Sequence, residues 1–225
     1  MKTRPLIALD ADGVLLDYSL AYAHLWERAF GYFPKELDKN AYWPLDRWEV
    51  EALDGERLSI FKDCMDEQFW STIPAVEHAV QACHRLHDAG FNLVCVTALR
   101  PQFQNARLQN LRDAEFTIKQ VIATGRSTGD RSPKAAAIEQ LGAAAFVDDY
   151  LPYFKGIKPS THLALICRGS TRSPNVGPDL KIVHSQHSSL AAFADWMLRS
   201  GPGDSGIRRC VPSSNGLTAS DAFCE

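Results

Sequence analysis

Short apolar segments alternate with amphipathic ones through the second half of the chain, and this alternation constrains the fold more than any other feature. The segments with the pattern of strands cover residues 91–97, 118–123, 143–147 and 162–167, with a last one near residues 181–183. The segments with the pattern of helices cover residues 101–112, 133–141 and 189–198. Strands that alternate with helices are typical of a parallel sheet with helical crossover connections. We therefore predict an α/β fold with a doubly wound, Rossmann-like parallel sheet.

A further apolar segment lies near the N-terminus, where residues 6–9 are followed directly by Asp10, Ala11, Asp12 and Gly13. A short, continuously apolar strand is typical of a parallel sheet that is covered on both faces. Asp10 would then lie at the carboxyl end of that strand, at the edge where open α/β sheets bind ligands. A second interpretation exists, since Asp12-Gly13 between apolar segments is also a β-hairpin signal. The local sequence leaves both open.

The region that follows the first strand has a different character. Asp17 is a candidate N-cap, and apolar residues recur with helical periodicity up to Gly31. Residues 32–48 are aromatic and interrupted by proline, and helical periodicity returns over residues 56–70. We interpret this region as a small, mainly helical cap inserted into the core. The predicted division is a core at residues 1–16 and 74–200, a cap at residues 17–73 and a flexible C-terminal tail at residues 201–225.

Several other residues allow both a structural and a functional interpretation. Pro74 is predicted to open a helix that ends at Ala89-Gly90. Three histidines on it have spacings that would suit a metal-ligand face, but surface imidazoles are the commoner arrangement. They are His78, His84 and His87. Four tryptophans are predicted to form the core of the cap, with one of them as a candidate for the pocket wall. They are Trp26, Trp43, Trp48 and Trp70.

Composition and charge limit the class of ligand. The 225 residues carry a formal net charge of −3, with a pI near 6.2, which provides no basic field for nucleic acid or an anionic membrane. We expect a small charged molecule as the ligand, and the oligomeric state stays open. The six cysteines form no Cys-x-x-Cys pair, which favours reduced thiols. Because no apolar segment suits a signal peptide or a transmembrane helix, we predict a cytoplasmic protein.

Polar residues also follow two later strands. Thr97 ends one strand, and Asp148 and Asp149 follow another. Because the carboxyl ends of parallel strands share one edge, these residues are expected to converge on Asp10. Crowded carboxylates repel one another unless a cation neutralises them, and oxygen ligands favour Mg²⁺. Lys134 is a candidate to balance the charge of a phosphate. Taken singly, Thr97 also fits a helix cap, Asp148-Asp149 a turn and Lys134 a solvated position.

In this order, these residues resemble the four motifs of the haloacid dehalogenase-like hydrolase superfamily, in its phosphatase branch. The matched positions are Leu9-Asp10-Ala11-Asp12-Gly13-Val14, Val96-Thr97-Ala98, Lys134 and Phe146-Val147-Asp148-Asp149. The resemblance spans residues 5–149, and the alternating pattern up to about residue 198 fits the same fold. It implies a Rossmann-like core with a cap after the first motif, a position from which a lid can close over a site.

The resemblance implies a role for each matched residue. Asp10 would attack phosphorus and form an aspartyl-phosphate, while Asp12 would be general acid and then general base. Thr97 and Ala98 would bind the phosphate group. Lys134 would pair with Asp10 and with the phosphate. The implied ligands of Mg²⁺ are Asp10, the backbone carbonyl of Asp12, Asp148 and Asp149, the last either directly or through water.

Two positions bear on the branch of the family. Asp12 favours a phosphatase or phosphomutase, because dehalogenases of this superfamily lack an acid there and its ATPases usually carry threonine. The segment Arg131-Ser132-Pro133-Lys134 departs from the Lys-Pro-x-Pro form of several phosphatase branches. Lys119 and Lys155 are therefore alternatives to Lys134. Arg100, which follows the Thr97 strand, is either a substrate contact or a solvated side chain.

The sequence thus predicts a Mg²⁺-dependent phosphatase that hydrolyses a small soluble phosphomonoester. Nucleotides, phosphoglycolate and sugar phosphates are all open as substrates, and the aromatic residues within 22–70 favour a nucleotide slightly. Two alternatives stay open. One is a phosphotransferase or phosphomutase of the same fold, and the other is a non-enzymatic binding protein that keeps the fold.

Overall fold

A computed structural model describes residues 4–126, 129–169 and 171–200, so the predicted tail at residues 201–225 lies outside the described residues. Six strands form one sheet in which every neighbouring pair is parallel. They are β1 (Leu6–Leu9), β2 (Asn92–Thr97), β3 (Val121–Ala123), β4 (Ala145–Asp148), β5 (His162–Ile166) and β6 (Ser185–His187). Their order is β3-β2-β1-β4-β5-β6. The predicted α/β, doubly wound fold class is confirmed.

The strand order reverses at β1, which lies between β2 and β4. Connections therefore leave the centre of the sheet in opposite directions, and a crevice opens at the carboxyl ends of β1 and β4. Leu9 of β1 pairs with Val147 of β4 and with Cys95 of β2. This register brings the residues that follow β1 and β4 to the same height, which is what positions the candidate site.

Eight α-helices and three short 3-10 helices lie between and after the strands in the described ranges. The α-helices are α1 (Tyr18–Phe30), α2 (Pro44–Arg47), α3 (Gly55–Asp63), α4 (Glu67–Ser71), α5 (Ala79–Asp88), α6 (Gln104–Asp113), α7 (Ala135–Leu141) and α8 (Leu190–Ser200). The 3-10 helices are Pro101–Phe103, Leu151–Phe154 and Pro178–Ile182. The limits of α1 follow from its sequence: Asp17 caps its first turn through Leu20 N–H, and Gly31 ends it in the left-handed conformation.

The sheet is buried on both faces, as its apolar strands predict. Ile7 and Leu9 belong to one apolar cluster, which α1, α5 and α8 help to form, and Ala8 belongs to a second cluster with α7. Trp26 of α1 and Phe61 of α3 lie in the first cluster. Apolar side chains of the predicted cap therefore share a core with one face of the sheet. The division at residues 17–73 stays a prediction.

The prediction that a helix opens at Pro74 is wrong for the first turn, because α5 begins only at Ala79. Residues 74–76 are extended instead. The N–H of Asp17 donates to the carbonyl of Pro74 (2.8 Å), and the N–H of Val76 donates to the carbonyl of Leu15 (2.9 Å). Pairing with the segment that follows β1 replaces the helical hydrogen bonds, and this pairing ties the two ends of the insertion together.

Two other predicted elements also differ. The segment with helical periodicity at residues 56–70 forms two helices, α3 and α4, because the Asp66 side chain accepts from the N–H of Phe69 and starts a new helix. The strand predicted near residues 181–183 is wrong: that segment lies at the end of a 3-10 helix, and β6 follows it. The Pro178 ring favours the helical turn.

No helix in the described ranges has both the length and the apolar composition needed to span a membrane. The four described cysteines, Cys64, Cys83, Cys95 and Cys167, form no disulfide with one another. Burial raises the pKa of the Cys95 thiol to about 12 and raises that of Cys83 further, so both thiols are protonated near neutral pH.

Candidate active site

The carboxyl edge between β1 and β4 gathers the residues that the sequence singled out. Asp10 follows β1, and its N–H donates to the carbonyl of Val147 (2.9 Å), which extends the ladder past the strand. Asp148 ends β4, and Asp149 comes next. Thr97 ends β2, on the other side of β1. The parallel topology thus brings together residues from three distant segments.

Asp10, Asp148 and Asp149 form a buried acidic cluster. Each offers one carboxylate oxygen, and these oxygens lie within 4.8 Å of one another. Their relative exposure is 5%, 0% and 3%, respectively. Among the described residues this is the one group of three or more potential metal ligands with such geometry.

The chain leaves β1 through a tight turn that brings its backbone against this cluster. The N–H of Gly13 donates to the carbonyl of Leu16 (2.8 Å), and the φ angle of Gly13 is +85°. A Cβ atom at this position would lie 2.2 Å from Oδ2 of Asp149 and 2.5 Å from Nε of Arg168. The position requires glycine for both reasons. The strand ends at Leu9 and a tight turn follows, but the bridge between Asp12 and Leu16 is parallel and β1 pairs only with parallel strands, so the hairpin interpretation is wrong.

Lys134 lies at the N-cap of α7 and is fully buried against the acids. Its Nζ atom is 2.6 Å from Oδ1 of Asp10 and 2.7 Å from Oδ2 of Asp148. Lys119 and Lys155, the alternatives that the sequence left open, are both exposed, and Lys155 forms a surface ion pair. The structure therefore brings Lys134 into the cluster and leaves the other two lysines outside it.

Arg107 of α6 is a site residue that the sequence argument missed. Its Nη2 atom donates to both carboxylate oxygens of Asp12, at 2.8 and 3.1 Å. The side chain of Arg107 is completely buried, whereas the Asp12 side chain is 29% exposed. No local signal separates Arg107 from Arg100 or Arg112 on the same stretch, because its partner is 95 residues away in sequence.

Arg168, on the loop after β5, is a second residue that the sequence argument missed. Its Nε donates to Oδ2 of Asp149, and its Nη1 donates to the carbonyl of Tyr42 (3.2 Å). The guanidinium also lies over the Tyr42 ring, 4.3 Å from the ring centroid. The Tyr42 hydroxyl in turn donates to the carbonyl of Asp149 (3.2 Å). A segment of the predicted cap is thereby fixed against the acidic cluster.

Every carboxylate at the site has a cationic partner. Lys134 contacts Asp10 and Asp148, Arg107 contacts Asp12, and Arg168 contacts Asp149. Four carboxylates and three cations leave one formal negative charge. The sequence argument assigned the neutralisation to a metal ion and to Lys134, whereas three protein cations, Lys134, Arg107 and Arg168, supply most of it. A single net negative charge still repels a phosphate dianion, and a divalent cation would reverse its sign.

Burial dominates the pKa values of the acids. It raises the pKa of Asp10 well above its usual range, with the Asp148 charge adding to the effect and Lys134 opposing it. Burial also raises the pKa of Asp148 to about 6 against the effect of Lys134. The pKa of Asp12 is raised by burial, which outweighs the lowering by Arg107. A further cation beside these groups would stabilise their ionised forms.

The donor set fits Mg²⁺. Asp10, Asp148 and Asp149 supply only oxygen atoms, which Mg²⁺ prefers. The donors that reach Asp10 in the described part of the chain, Lys134 Nζ and Ala11 N–H, both bind its Oδ1 atom, so Oδ2 is left to another partner. Burial is the main cause of the raised pKa values of Asp10 and Asp148, and a bound cation would oppose this effect of burial.

The remaining sequence candidates have different surroundings. Thr97 is buried at the end of β2, and the next helical turn begins at Pro101 with Arg100 as its N-cap, so the helix-cap interpretation of Thr97 is wrong. Ala98 follows Thr97 and is partly exposed, whereas Arg100 is exposed. Asp148 also serves the turn that follows it, because its Oδ1 accepts from the N–H of Tyr150 (2.8 Å).

The three histidines of the α5 region do not converge. His84 binds the backbone carbonyl of Glu115 at 2.9 Å, and His78 and His87 lie beside the exposed side chains of adjacent acids. Of the tryptophans, Trp26 and Trp48 are buried and Trp43 and Trp70 are partly exposed. The ring centroid of Trp43 lies 6.3 Å from that of Tyr150, beside the acidic loop.

The fold is that of the haloacid dehalogenase-like hydrolases, as solved structures show. A hydrolase of that family from Deinococcus radiodurans, with bound phosphate and sodium, is 14% identical, with a TM-score of 0.59 over 90% of this chain and 98% of its own. The D,D-heptose 1,7-bisphosphate phosphatase from B. bronchiseptica, in complex with magnesium and phosphate, is 14% identical, with a TM-score of 0.50 over 87% and 98%.

Dehalogenases share the fold as well. The L-2-haloacid dehalogenase from Xanthobacter autotrophicus is 14% identical, with a TM-score of 0.54 over 86% of this chain and 98% of its own. No family model matches the sequence, and no curated protein does. At this identity the structural likeness establishes the fold, and the choice of reaction depends on the residues of the site.

Proposed function

We propose that this protein is a Mg²⁺-dependent phosphatase that hydrolyses a small phosphomonoester through an aspartyl-phosphate on Asp10. The observation that carries the proposal is the buried group of Asp10, Asp148 and Asp149, bridged by Lys134 at the switch point of the sheet. Phosphoryl transfer requires positioning and neutralisation of charge more than any special covalent chemistry. A buried cluster of oxygen ligands with one fixed lysine suits both requirements.

Asp10 is the nucleophile in this proposal. A carboxylate oxygen of Asp10 forms a bond to phosphorus while the bond from phosphorus to the leaving oxygen breaks. Lys134, fixed 2.6 Å from Oδ1 of Asp10, holds the nucleophile and offsets the charge of the phosphoryl group. Thr97, at the end of the neighbouring strand β2, and the backbone at Ala98 bind the phosphoryl oxygens in this proposal.

Asp12 transfers the proton. Its carboxyl group gives a proton to the leaving oxygen and then takes one from the water that hydrolyses the aspartyl-phosphate. The pKa of Asp12 is raised by burial, which favours the protonated form that the first step needs. An acid at this position also favours phosphatase over dehalogenase chemistry within the fold.

Asp10, the carbonyl of Asp12, Asp148 and Asp149 are the residues that would hold Mg²⁺. The bound ion would supply positive charge to the transferring phosphoryl group. Since Arg168 occupies Oδ2 of Asp149, Asp149 would bind the ion through its other carboxylate oxygen or through a water molecule. These ligands lie at the end of β4 and on the loops that follow β1 and β4.

A small ester suits the site. Tyr42 of the predicted cap contacts the backbone of Asp149, and Arg168 ties both together. A lid held this close excludes water and restricts the leaving group, as in enzymes that act on small soluble substrates. Phosphate-bound structures of the same fold support an anionic phosphate ligand, and nucleotides, phosphoglycolate and sugar phosphates stay candidates.

The test is a screen of small phosphate esters with Mg²⁺, read as release of inorganic phosphate. Asp10→Asn is expected to lower turnover by at least about 10³-fold. Asp88→Asn, at an exposed position, is the matched control and should leave turnover unchanged. Mass spectrometry of acid-quenched enzyme should find one phosphoryl group on the peptide that contains Asp10.

Each contrary result has a distinct meaning. Unaltered turnover in Asp10→Asn would overturn the mechanism. Transfer of the phosphoryl group to an added alcohol or sugar phosphate, without free phosphate, would show a phosphotransferase or phosphomutase. Absence of turnover on every ester would favour the binding protein that keeps the fold.

A further inference from the structure

Arg107 approaches Asp12 from inside the protein. Its Nη2 atom donates to both carboxylate oxygens of Asp12. The Asp12 side chain is 29% exposed, while that of Arg107 is entirely buried. Arg107 therefore has no surface with which to touch a substrate, and any effect that it has on a reaction must act through Asp12.

The guanidinium is itself held in place. It lies 5.3 Å from the centroid of the Trp70 ring. Its Nη1 atom donates to Oδ1 of Asn110 at 3.4 Å, and Asn110 donates to the carbonyl of Ile73 at 2.9 Å. These contacts fix the arginine between α6 and the end of the predicted cap. The Asp12 carboxylate is consequently held in one orientation.

Stability alone gives a poor reason for this arrangement. The fully buried Arg107 charge loses its hydration, and a buried charge paired with an acid is often no more stabilising than apolar side chains of similar volume. Arg107 also leaves its own Nε atom without a hydrogen-bond partner among the described residues, which adds to the cost. The pair is better explained by what it does for the Asp12 carboxylate.

We propose that Arg107 is a positioning residue that holds the carboxyl group of Asp12 for proton transfer to the leaving oxygen. The inference rests on the proposed phosphatase function. In that reaction Asp10 bonds to phosphorus, the phosphorus–oxygen bond to the leaving group breaks, and the proton of Asp12 moves to the departing oxygen. Proton transfer matters when the leaving group is an alkoxide and matters little when it is a stable anion such as p-nitrophenolate.

The experiment compares kcat/KM, which reports the first chemical step, for two substrates. One is an alkyl phosphomonoester that the wild-type protein hydrolyses, and the other is p-nitrophenyl phosphate. Arg107→Met is expected to lower kcat/KM about 10²-fold for the alkyl ester and less than about 3-fold for the aryl ester. Arg107→Lys keeps the charge but not the planar fork, and a smaller loss, again selective for the alkyl ester, is expected.

A double-mutant cycle separates positioning from packing. In an Asp12→Asn background there is no proton to position, so adding Arg107→Met should cause no further selective loss. Arg112→Met, at an exposed position of the same helix, is the control and should leave both kcat/KM values unchanged.

Equal losses for the two esters, or additive losses in the cycle, would overturn the inference and assign Arg107 to packing. If circular dichroism shows that Arg107→Met does not fold, the Arg107→Lys variant is used instead. The deciding quantity is again the loss of kcat/KM for the alkyl ester relative to that for the aryl ester. Wild-type protein that hydrolyses neither ester would overturn the proposed function and this inference together. Wild-type turnover without the selective loss would overturn the inference alone.

Discussion

The Nζ atom of Lys134 lies 2.6 Å from Oδ1 of Asp10, and neither side chain has more than marginal contact with solvent. The same nitrogen lies 2.7 Å from Asp148. One buried cation thus bridges two acids at the ends of adjacent strands. Burial acts to lower the pKa of Lys134, but the two acids outweigh it and raise that pKa, so the lysine stays charged.

Replacing Lys134 with Met should both destabilise the fold and abolish turnover. It leaves Asp10 and Asp148 buried without their cation, which costs about 3–5 kcal/mol of unfolding free energy. Urea unfolding at pH 7 measures this loss. Lys119→Met, at an exposed position, should change the unfolding free energy by less than about 0.5 kcal/mol. Equal stability of the two variants would contradict the bridging role.

Mg²⁺ should stabilise the folded protein, because it adds the positive charge that the acidic cluster lacks. At a concentration about 100 times its dissociation constant, the ion should add about 2.7 kcal/mol to the unfolding free energy. The measurement is thermal unfolding with MgCl₂ against NaCl of equal ionic strength. Asp148→Asn, which removes one oxygen ligand, should reduce the shift. A shift that Asp148→Asn leaves intact would locate the ion elsewhere.

Gly13→Ala should abolish activity through a steric conflict, since the new Cβ would lie 2.2 Å from Oδ2 of Asp149. Gly31 is a matched control: its φ angle is +82° against +85° for Gly13, and a Cβ there meets no atom within 4 Å. Both substitutions should cost about 1 kcal/mol or more through backbone strain. We expect a loss of turnover of about 10²-fold or more only for Gly13→Ala. Equal turnover in the two variants would contradict a close packing of Gly13 against the site.

The imidazoles of His162 and His187 should make the fold less stable in mild acid. Both Nε2 atoms lie 2.8 Å from the Ser185 hydroxyl, and burial lowers the pKa of each ring to about 4, with a smaller contribution from a neighbouring histidine. In the unfolded chain these two imidazoles bind protons near pH 6.5, whereas in the folded protein they do so only near pH 4. Stability contributed by the neutral rings is therefore lost as the pH falls from about 6.5 to about 4.

Urea unfolding between pH 7 and pH 4.5 tests this dependence. Because the rings keep some contact with solvent, the combined effect should be about 1–3 kcal/mol. His162→Gln and His187→Gln should each flatten the pH profile of stability relative to the wild type. The raised pKa values of Asp10 and Asp148 oppose the effect of the histidines, but they are common to variant and wild type and so cancel in the comparison. His78→Gln, at an exposed position, should leave the profile unchanged. An unchanged slope in all three variants would contradict the depressed pKa values.

Parallel topology explains why so much of the candidate site could be predicted. Once residues 6–9 and 143–147 are assigned to parallel strands, Asp10 and Asp148 must end at the same edge, whatever their separation in sequence. The limits of α1 could also be predicted from the local sequence, because Asp17 caps its first turn and Gly31 ends its last turn. Such features depend on periodicity and on short-range hydrogen bonds, which the sequence displays directly.

The partners of the two site arginines and the pairing at the ends of the insertion could be found only from the tertiary structure. Arg107 meets Asp12 from 95 residues away, and Arg168 meets Asp149 from a loop beyond the last motif. Pro74 would favour a helix, yet its segment pairs with the chain that follows β1. The sequence by itself determined which elements form and which acids share an edge, since backbone periodicity encodes both. Only the tertiary structure decided which cations neutralise those acids, because that choice depends on side chains that meet after the helices pack.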